Sequence, residues 1–295
     1  MKEIIFFLPG MFSCNGSTGK YPAVSITGDK CALNCEHCRG QLLKTMFNTD
    51  TPEKLYEQCL KFKEKGAIGL LISGGCDNEG KLPWEAFLPV IKKINENLKL
   101  IISVHSGIID YKIAEDFKRS GVSQVLIDVI GDDETYKKIY HVPFGIEQIE
   151  NSLEALVSVG LSTVPHVVCG LYYGNIRGEF EAIKMISRHK PSQIVIVSYM
   201  PLAGIDTSGF SIPDEDDVEK IILYARQIMP DIPISLGCAR QRGNTQMEIK
   251  AIKAGISRMA LPSDEAIDFA HSLGLTVHFQ KTCCCIQERF NDIQW

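Results

Sequence analysis

No apolar run in this sequence approaches the roughly 20 residues that a membrane-spanning helix needs. The start, MKEIIFFLPG, holds one lysine and a five-residue apolar run, Ile4–Leu8, too short for the core of a secretory signal. Both absences lead to the expectation of a cytoplasmic chain with no membrane partner. Excess positive charge is also missing. The 31 Lys and Arg stand against 36 Asp and Glu, a net charge of −5, and a nucleic-acid partner would need a clustered basic face. There is no low-complexity linker and no internal boundary, so the 295 residues read as one domain, length being only a soft guide to domain count. Nor is there the paired C-x2-C knuckle of a structural zinc site.

What the sequence does hold is a large core and many thiols. Hydrophobic residues make up 45% and charged residues 23%, the ordinary balance of a globular enzyme. Eleven cysteines in a chain read as cytoplasmic point to metal or redox chemistry rather than a disulfide framework. Apolar, β-branched runs recur at 23–27, 68–75, 100–107, 124–131, 163–170, 193–201, 232–238 and 257–262. Continuous apolar runs of this length suit buried parallel strands. Amphipathic helical patterns lie between them. Segment 51–66 has Thr51 as cap, Pro52 in the first turn and Gly66 as stop, and 263–274 repeats the plan with Ser263 and Gly274. The acidic run at 213–220 reads as a helix N-terminus, where carboxylates meet the positive end of the dipole. Eight strand-then-helix units predict an α/β fold, a (β/α)8 TIM-type barrel over 23–274. An N-terminal extension (1–22) is placed at the barrel mouth, and a cysteine-containing tail (275–295) either adds a short strand or folds across that mouth, where its three consecutive cysteines point. A doubly wound open sheet is the alternative.

In such a barrel the chemistry sits where the strands end, and the unusual residues of this sequence gather there. Cys31, Cys35 and Cys38 follow the first strand. Gly74, Gly75 and Cys76 end the second, His105 the third, and Asp128 lies late in the fourth. His166 and Cys169 end the fifth, and Cys238 and Arg240 the seventh. The stretch CALNCEHC carries three cysteines as C-x3-C-x2-C. Thiolates so spaced can converge on a metal or an iron–sulfur cluster. A closed zinc site would need His37 as a fourth ligand. Three cysteines on a four-iron cluster instead leave one iron open to a small molecule.

That loop, placed just after the first strand, resembles the radical S-adenosylmethionine (SAM) enzymes. The resemblance implies that Cys31, Cys35 and Cys38 hold a 4Fe-4S cluster, that SAM chelates the open iron, and that an electron from the cluster cleaves SAM to a 5′-deoxyadenosyl radical. It places His37 beside the adenine, with a solvent-facing loop residue as the other reading. It sets the Gly74–Gly75 backbone against the SAM amino group, where the family carries an acidic residue next and this sequence has Cys76. Asp128 falls at an acidic position that holds SAM ribose or substrate. His105 and His166 are either site groups or hydrogen-bonded core residues. Arg240, like Arg242, is either a ligand of the SAM carboxylate, a neighbour of a second cluster, or half of a surface ion pair.

Across nearly the full chain, VSITGDKCALNCEHCRGQLLKTM, LISGG, SVHSG, IDVIGDDETY, VPHVVCGLYYG, MPLAG and LGCAR resemble the biotin-synthase-like group. Within it they are most similar to archaeal-type two-component lipoyl synthases. That resemblance implies sulfur insertion into an octanoyl chain on a carrier protein, a related radical SAM partner protein, an electron donor, and a second iron–sulfur cluster consumed as sulfur source. The auxiliary C-x4-C-x5-C run of the single-chain lipoyl synthases is absent. Candidate ligands for the second cluster are Cys14, Cys238, Cys283, Cys284 and Cys285, with small buried packing residues as the other reading. Cys59, on a helix face, reads as packing, and Cys169 as either. Two rival functions stay open: another biotin-synthase-like reaction, such as rearrangement or cofactor assembly, and a non-catalytic metal-binding partner.

Overall fold

The structure is a computed structural model and describes residues 2–206 and 208–290. The final five residues of the expected tail lie outside the described residues. In chain order the strands are β1 (Glu3–Phe7), β2 (Ser13–Cys14), β3 (Ser17–Thr18), β4 (Ala23–Ser25), β5 (Phe47–Asn48), β6 (Gly69–Ser73), β7 (Ile101–His105), β8 (Gln124–Asp128), β9 (Ser162–Cys169), β10 (Ile194–Ser198), β11 (Ile234–Leu236), β12 (Arg258–Ala260) and β13 (Thr276–Gln280). The α-helices are α1 (Pro52–Glu64), α2 (Trp84–Leu98), α3 (Tyr111–Arg119), α4 (Asp133–Tyr140), α5 (Glu147–Ser158), α6 (Glu179–Arg188), α7 (Glu215–Ile228), α8 (Thr245–Lys253) and α9 (Asp264–Ser272). Among the described residues no helix is long and apolar enough to cross a membrane.

Eleven strands form one sheet in the order β13-β1-β12-β11-β10-β9-β8-β7-β6-β4-β5, every neighbouring pair parallel. The eight expected strands are β4 and β6 to β12, and they stand side by side in sequence order. A doubly wound sheet reverses its strand order at a switch point. No reversal occurs here, so that alternative falls. The sheet curls into a partial barrel: Phe7, Leu126, Val164, Val195 and Ala260, from five strands, share one interior cluster. Side chains alternate along each strand. Ile5 and Phe7 face this interior, while Ile4 and Phe6 join the larger cluster under the helices.

The helix signals act as expected. The Thr51 hydroxyl accepts from the Lys54 amide, Pro52 opens α1, and Ser263 caps α9 by accepting from the Ala266 amide. Asp214 caps α7 at the head of the acidic run.

The two ends depart from the expected boundaries. The apolar run Ile4–Leu8 is not part of a surface extension: its residues are buried, and β1 lies between β12 and β13. The tail adds the short strand that is one of its two expected outcomes, β13, and this strand joins the sheet beside β1 before the cysteines. The segment between β1 and β4 carries the β2–β3 hairpin, and Gly10 donates to the Tyr21 carbonyl at 3.1 Å.

Beyond β13 the chain turns into the barrel, and it does so from the end where the strands begin. Gln124, the first residue of β8, donates to the Cys285 carbonyl at 2.9 Å. Gln193, just before β10, donates to the Cys284 carbonyl at 2.9 Å. Arg258, the first residue of β12, donates to the carbonyls of Cys284 and Ile286. Cys284, Cys285 and Ile286 are buried there. The expectation that the tail crosses the strand-end opening beside the first cysteine loop is therefore corrected. The tail plugs the opposite end, because inward polar side chains at the strand starts supply donors for its carbonyls.

Candidate active site

The three-cysteine loop follows β4 and is fixed by short bonds. The Ser25 hydroxyl donates to the Gly28 carbonyl and the Thr27 hydroxyl to the Lys30 carbonyl. Thr27 also accepts from the Gly75 amide at 2.7 Å, tying the glycine turn after β6 to the loop. The Ala32 amide donates to the Cys76 carbonyl at 2.7 Å and the Glu36 amide to the Ile139 carbonyl at 2.9 Å. A Cβ on Gly75 would lie 2.6 Å from that of Cys31, so only glycine lets the turn approach the loop this closely.

Cys35, His37 and Cys38 bring their ligand atoms within 4.8 Å of one another, the one such set of three among the described residues. The hydrogen bond between them pushes the Cys35 thiol up and the Cys38 thiol down, and His37 lowers Cys38 further through a second hydrogen bond and its charge. Burial pulls the His37 imidazole down, yet its bond to Cys38 and the charges of Cys38 and Asp128 carry it above its ordinary value. The His37 ring packs on Tyr140 with centroids 5.2 Å apart, and its buried Nδ1 has no protein partner. It is a turned-in residue, not a solvent-facing one.

Next to this loop, on the inner face of three neighbouring strands, stand His105, Asp128 and His166. His105 Nε2 lies 3.3 Å from Asp128 Oδ1, and the Tyr140 hydroxyl is 3.5 Å from Oδ2. Burial works against the Asp128 carboxylate, but the His105 charge and hydrogen bond outweigh it and hold the pKa at about 2. His105 is raised: burial opposes its charge, and Asp128 overcomes burial. His166, which places Nδ1 3.1 Å from the Val164 carbonyl, is lowered to about 4 by burial and by the charge of His105. The mouth thus holds a histidine–carboxylate pair that favours its charged form, beside a histidine whose charged form is disfavoured.

The sign of the coupling follows. The His105 contribution is present below the ordinary imidazole pKa and is lost as pH rises through its raised value. The Asp128 contribution is lost only as pH falls toward 2. In Asp128→Asn, burial remains without its counter-charge, so the His105 pKa should drop below the ordinary imidazole value. Histidine-ring NMR titration reads this, and an unchanged His105 would refute the pairing.

Arg240 is placed elsewhere. It is 1% exposed, donates to the Gly237 and Leu261 carbonyls, and forms a 2.6 Å ion pair with Glu248. A guanidinium so committed is a clamp between strand ends, not a free ligand for the SAM carboxylate, and this corrects the expectation. Arg242 is exposed, donates to the Cys238 carbonyl, and lies over the Phe12 ring at 5.3 Å.

The remaining cysteines separate into two sets. Cys59 and Cys169 are buried in the outer cluster beneath the helices. Burial pushes Cys59 up to about 12, and both are packing residues. Cys238 and Cys283 instead pack against the interior cluster that contains Cys284 and Cys285. Cys283 and Cys285 place their sulfurs 3.1 Å apart, and burial, helped by the charge of Cys284, pushes Cys238 up to about 11. Around them Gln124 Oε1, Gln193 Oε1 and Thr282 Oγ1 are buried without protein partners. Cys14 lies in the hairpin, whose Ser17 accepts from Lys281 near the tail.

The Radical SAM superfamily profile matches residues 25–186, more than half of the chain and all of the loop just described. The chain belongs to the radical SAM superfamily. Biotin synthases of two Leptospira interrogans strains are 18% identical over 226 residues, 74% of this chain and 62% of theirs. This radical SAM chain therefore spans less than two thirds of the curated relatives it matches. Among solved structures it is similar to HydG, a maturase of the [FeFe]-hydrogenase, with a TM-score of 0.66, 18% identity, and coverage of 94% of this chain and 64% of that one. It is also similar to methylornithine synthase, with a TM-score of 0.61, 16% identity, and coverage of 94% and 83%. At these identities the likeness is one of fold.

The donor set fits the family's cluster. Three thiols on one short loop match a cluster that needs three thiolates and keeps one iron open. Cys31, Cys35 and Cys38 are the residues that would hold it, and with SAM bound it supplies the electron that generates the 5′-deoxyadenosyl radical. The Gly74–Gly75 turn and the His105–Asp128 pair are the groups of this chain beside the loop that would line a SAM site.

Some of this surrounding structure is not among the sequence-derived candidates. Tyr140 belongs to α4 and reaches both His37 and Asp128. Gln124, Gln193 and Arg258 hold the plug. A signal for these three existed: each is a polar residue at the head of an apolar run, where strand alternation turns it inward.

Proposed function

We propose that this radical SAM enzyme inserts sulfur into an octanoyl chain carried on a protein, as one half of a two-protein lipoyl synthase. The observation that carries the reading is the interior grouping of Cys238 with Cys283, Cys284 and Cys285. Two sets of thiols then lie in one barrel, one on the loop after β4 and one inside, with the His105–Asp128–His166 group on the same inner wall. A sulfur donor must lie beside the carbon radical it quenches, because reaction requires close, oriented atoms. Cysteines inside the barrel and a SAM site at the rim would put the acyl chain between them. The buried hydroxyl of Thr282 and the Arg258 guanidinium are donors of the kind that stabilise cluster sulfides. The distant similarity to biotin synthase supports this reading. The enzyme would work with an octanoylated carrier, a related radical SAM protein and an electron donor.

Changing Cys238 to Ala is the test. Iron should fall by roughly half, as when one of two similar clusters loses a thiolate. Deuterium should still pass from labelled octanoyl chain to 5′-deoxyadenosine, while thiolated product disappears. Full iron together with thiolated product would show that Cys238 only packs. A rearrangement or cofactor-assembly reaction is distinguished by an interior cluster that survives turnover.

A further inference from the structure

Cys76 is a fourth cysteine at the rim, absent from both sets above. It directly follows the Gly74–Gly75 turn, and its carbonyl accepts from the Ala32 amide at 2.7 Å. Residue 76 is thereby pinned against the residue that follows Cys31. The turn itself is in van der Waals contact with Cys31, as the Gly75 geometry requires. A Cβ on Gly107, just past the end of β7, would lie 3.5 Å from the Cys76 sulfur. That sulfur therefore sits between the cysteine loop and the end of β7, on the side of the mouth that holds His105 and Asp128. It is partly buried, packs with Cys31 and Cys38 against one core cluster, and has no hydrogen-bond partner among the described residues. It adds a fourth thiol beside the cysteine loop.

We propose that Cys76 ligates the fourth iron of the loop's cluster when SAM is absent, and that SAM displaces it. The proposal rests on the radical SAM assignment of Cys31, Cys35 and Cys38. The exchange balances without any redox partner. The Fe–S bond to Cys76 breaks and an Fe–N bond to the SAM amine forms. The SAM ammonium must lose a proton to become a ligand, and the departing thiolate takes that proton up. The SAM carboxylate then completes the chelate. A thiolate is a softer and better ligand for cluster iron than a carboxylate at this position would be. The thiol therefore gives the enzyme a resting cluster with no corner open to solvent.

The test uses the full chain, reconstituted anaerobically without SAM and then oxidised with ferricyanide. A cluster with three thiolates sheds its open iron on oxidation, and the three-iron product is read by electron paramagnetic resonance. Wild type should resist conversion. Cys76→Ala, and Cys76→Ser as a variant closer in size, should give several-fold more three-iron cluster. Added SAM should protect all three proteins and erase the difference. Equal conversion in wild type and both variants without SAM overturns the proposal. A Cys31/Cys35/Cys38 triple alanine variant measured alongside gives the signal from any interior cluster. If that variant keeps all its iron, the loop assignment fails, and this failure is distinct from that of Cys76.

Discussion

Replacing Cys31, Cys35 and Cys38 together by alanine should abolish 5′-deoxyadenosine formation. It should also remove about one cluster's worth of iron, since each lost thiolate opens an edge of the cluster. The loop around these residues is held by backbone bonds from Ala32, Glu36 and Arg39 that do not involve the three side chains. The backbone should therefore keep its path, and the loss should be chemical rather than a collapse of the fold. Cys35 is the one of the three buried in the core, so Cys35→Ala alone should also cost some packing energy, on the order of 1 kcal/mol for a small buried side chain. The decisive measurement is 5′-deoxyadenosine by chromatography after reduction with dithionite in the presence of SAM. Product at the wild-type rate from the triple variant would remove the cluster from this loop.

Glu248→Ala should produce the largest loss of stability of any single substitution considered. The Arg240–Glu248 pair is buried on both sides, unlike Lys184–Glu181 and most other pairs at the surface. Exposed pairs contribute about 0–1 kcal/mol. Removing one partner of a buried pair strands an uncompensated charge and costs about 3–5 kcal/mol. Glu248 also accepts from the Ser263 amide at the head of α9 at 2.8 Å, so the substitution frees a second buried donor. Chemical denaturation of the wild type and variant measures the difference. A loss below about 1 kcal/mol would mean that water reaches the guanidinium, against the burial seen. Replacing both residues by apolar ones of similar volume should recover much of the loss, as for other buried pairs.

The barrel strands were legible because burial on both faces forces continuous apolar runs, and eight of these were long enough to see. β1 was not, because a five-residue apolar run in isolation carries no sign of its partners. Its neighbours β12 and β13 lie at the far end of the sequence. The three-cysteine loop was legible because its ligands are local. The His105–Asp128 contact was not, since two strands must pair before the residues meet. Arg240 was misplaced for a related reason. An arginine at a strand end looks the same whether it faces a ligand or a buried carboxylate, and Glu248 lies one loop away on α8. The tail's cysteines drew attention by being adjacent. Their destination, however, depended on Gln124, Gln193 and Arg258, at the heads of three separate strands.

The position of β1 between β12 and β13 has a consequence for how this protein is made. β1 leaves the ribosome long before either of its two sheet neighbours exists. Ile5 pairs in register with Arg258 and His278, so this apolar strand must wait, unpaired, for nearly the whole chain. Such long-range pairing slows folding, and unpaired apolar strands invite association while they wait. The last steps then coincide: β13 docks on β1, and the turn that follows it carries Cys283–Cys285 into the floor of the barrel. Until those steps are complete, the interior stays open from below.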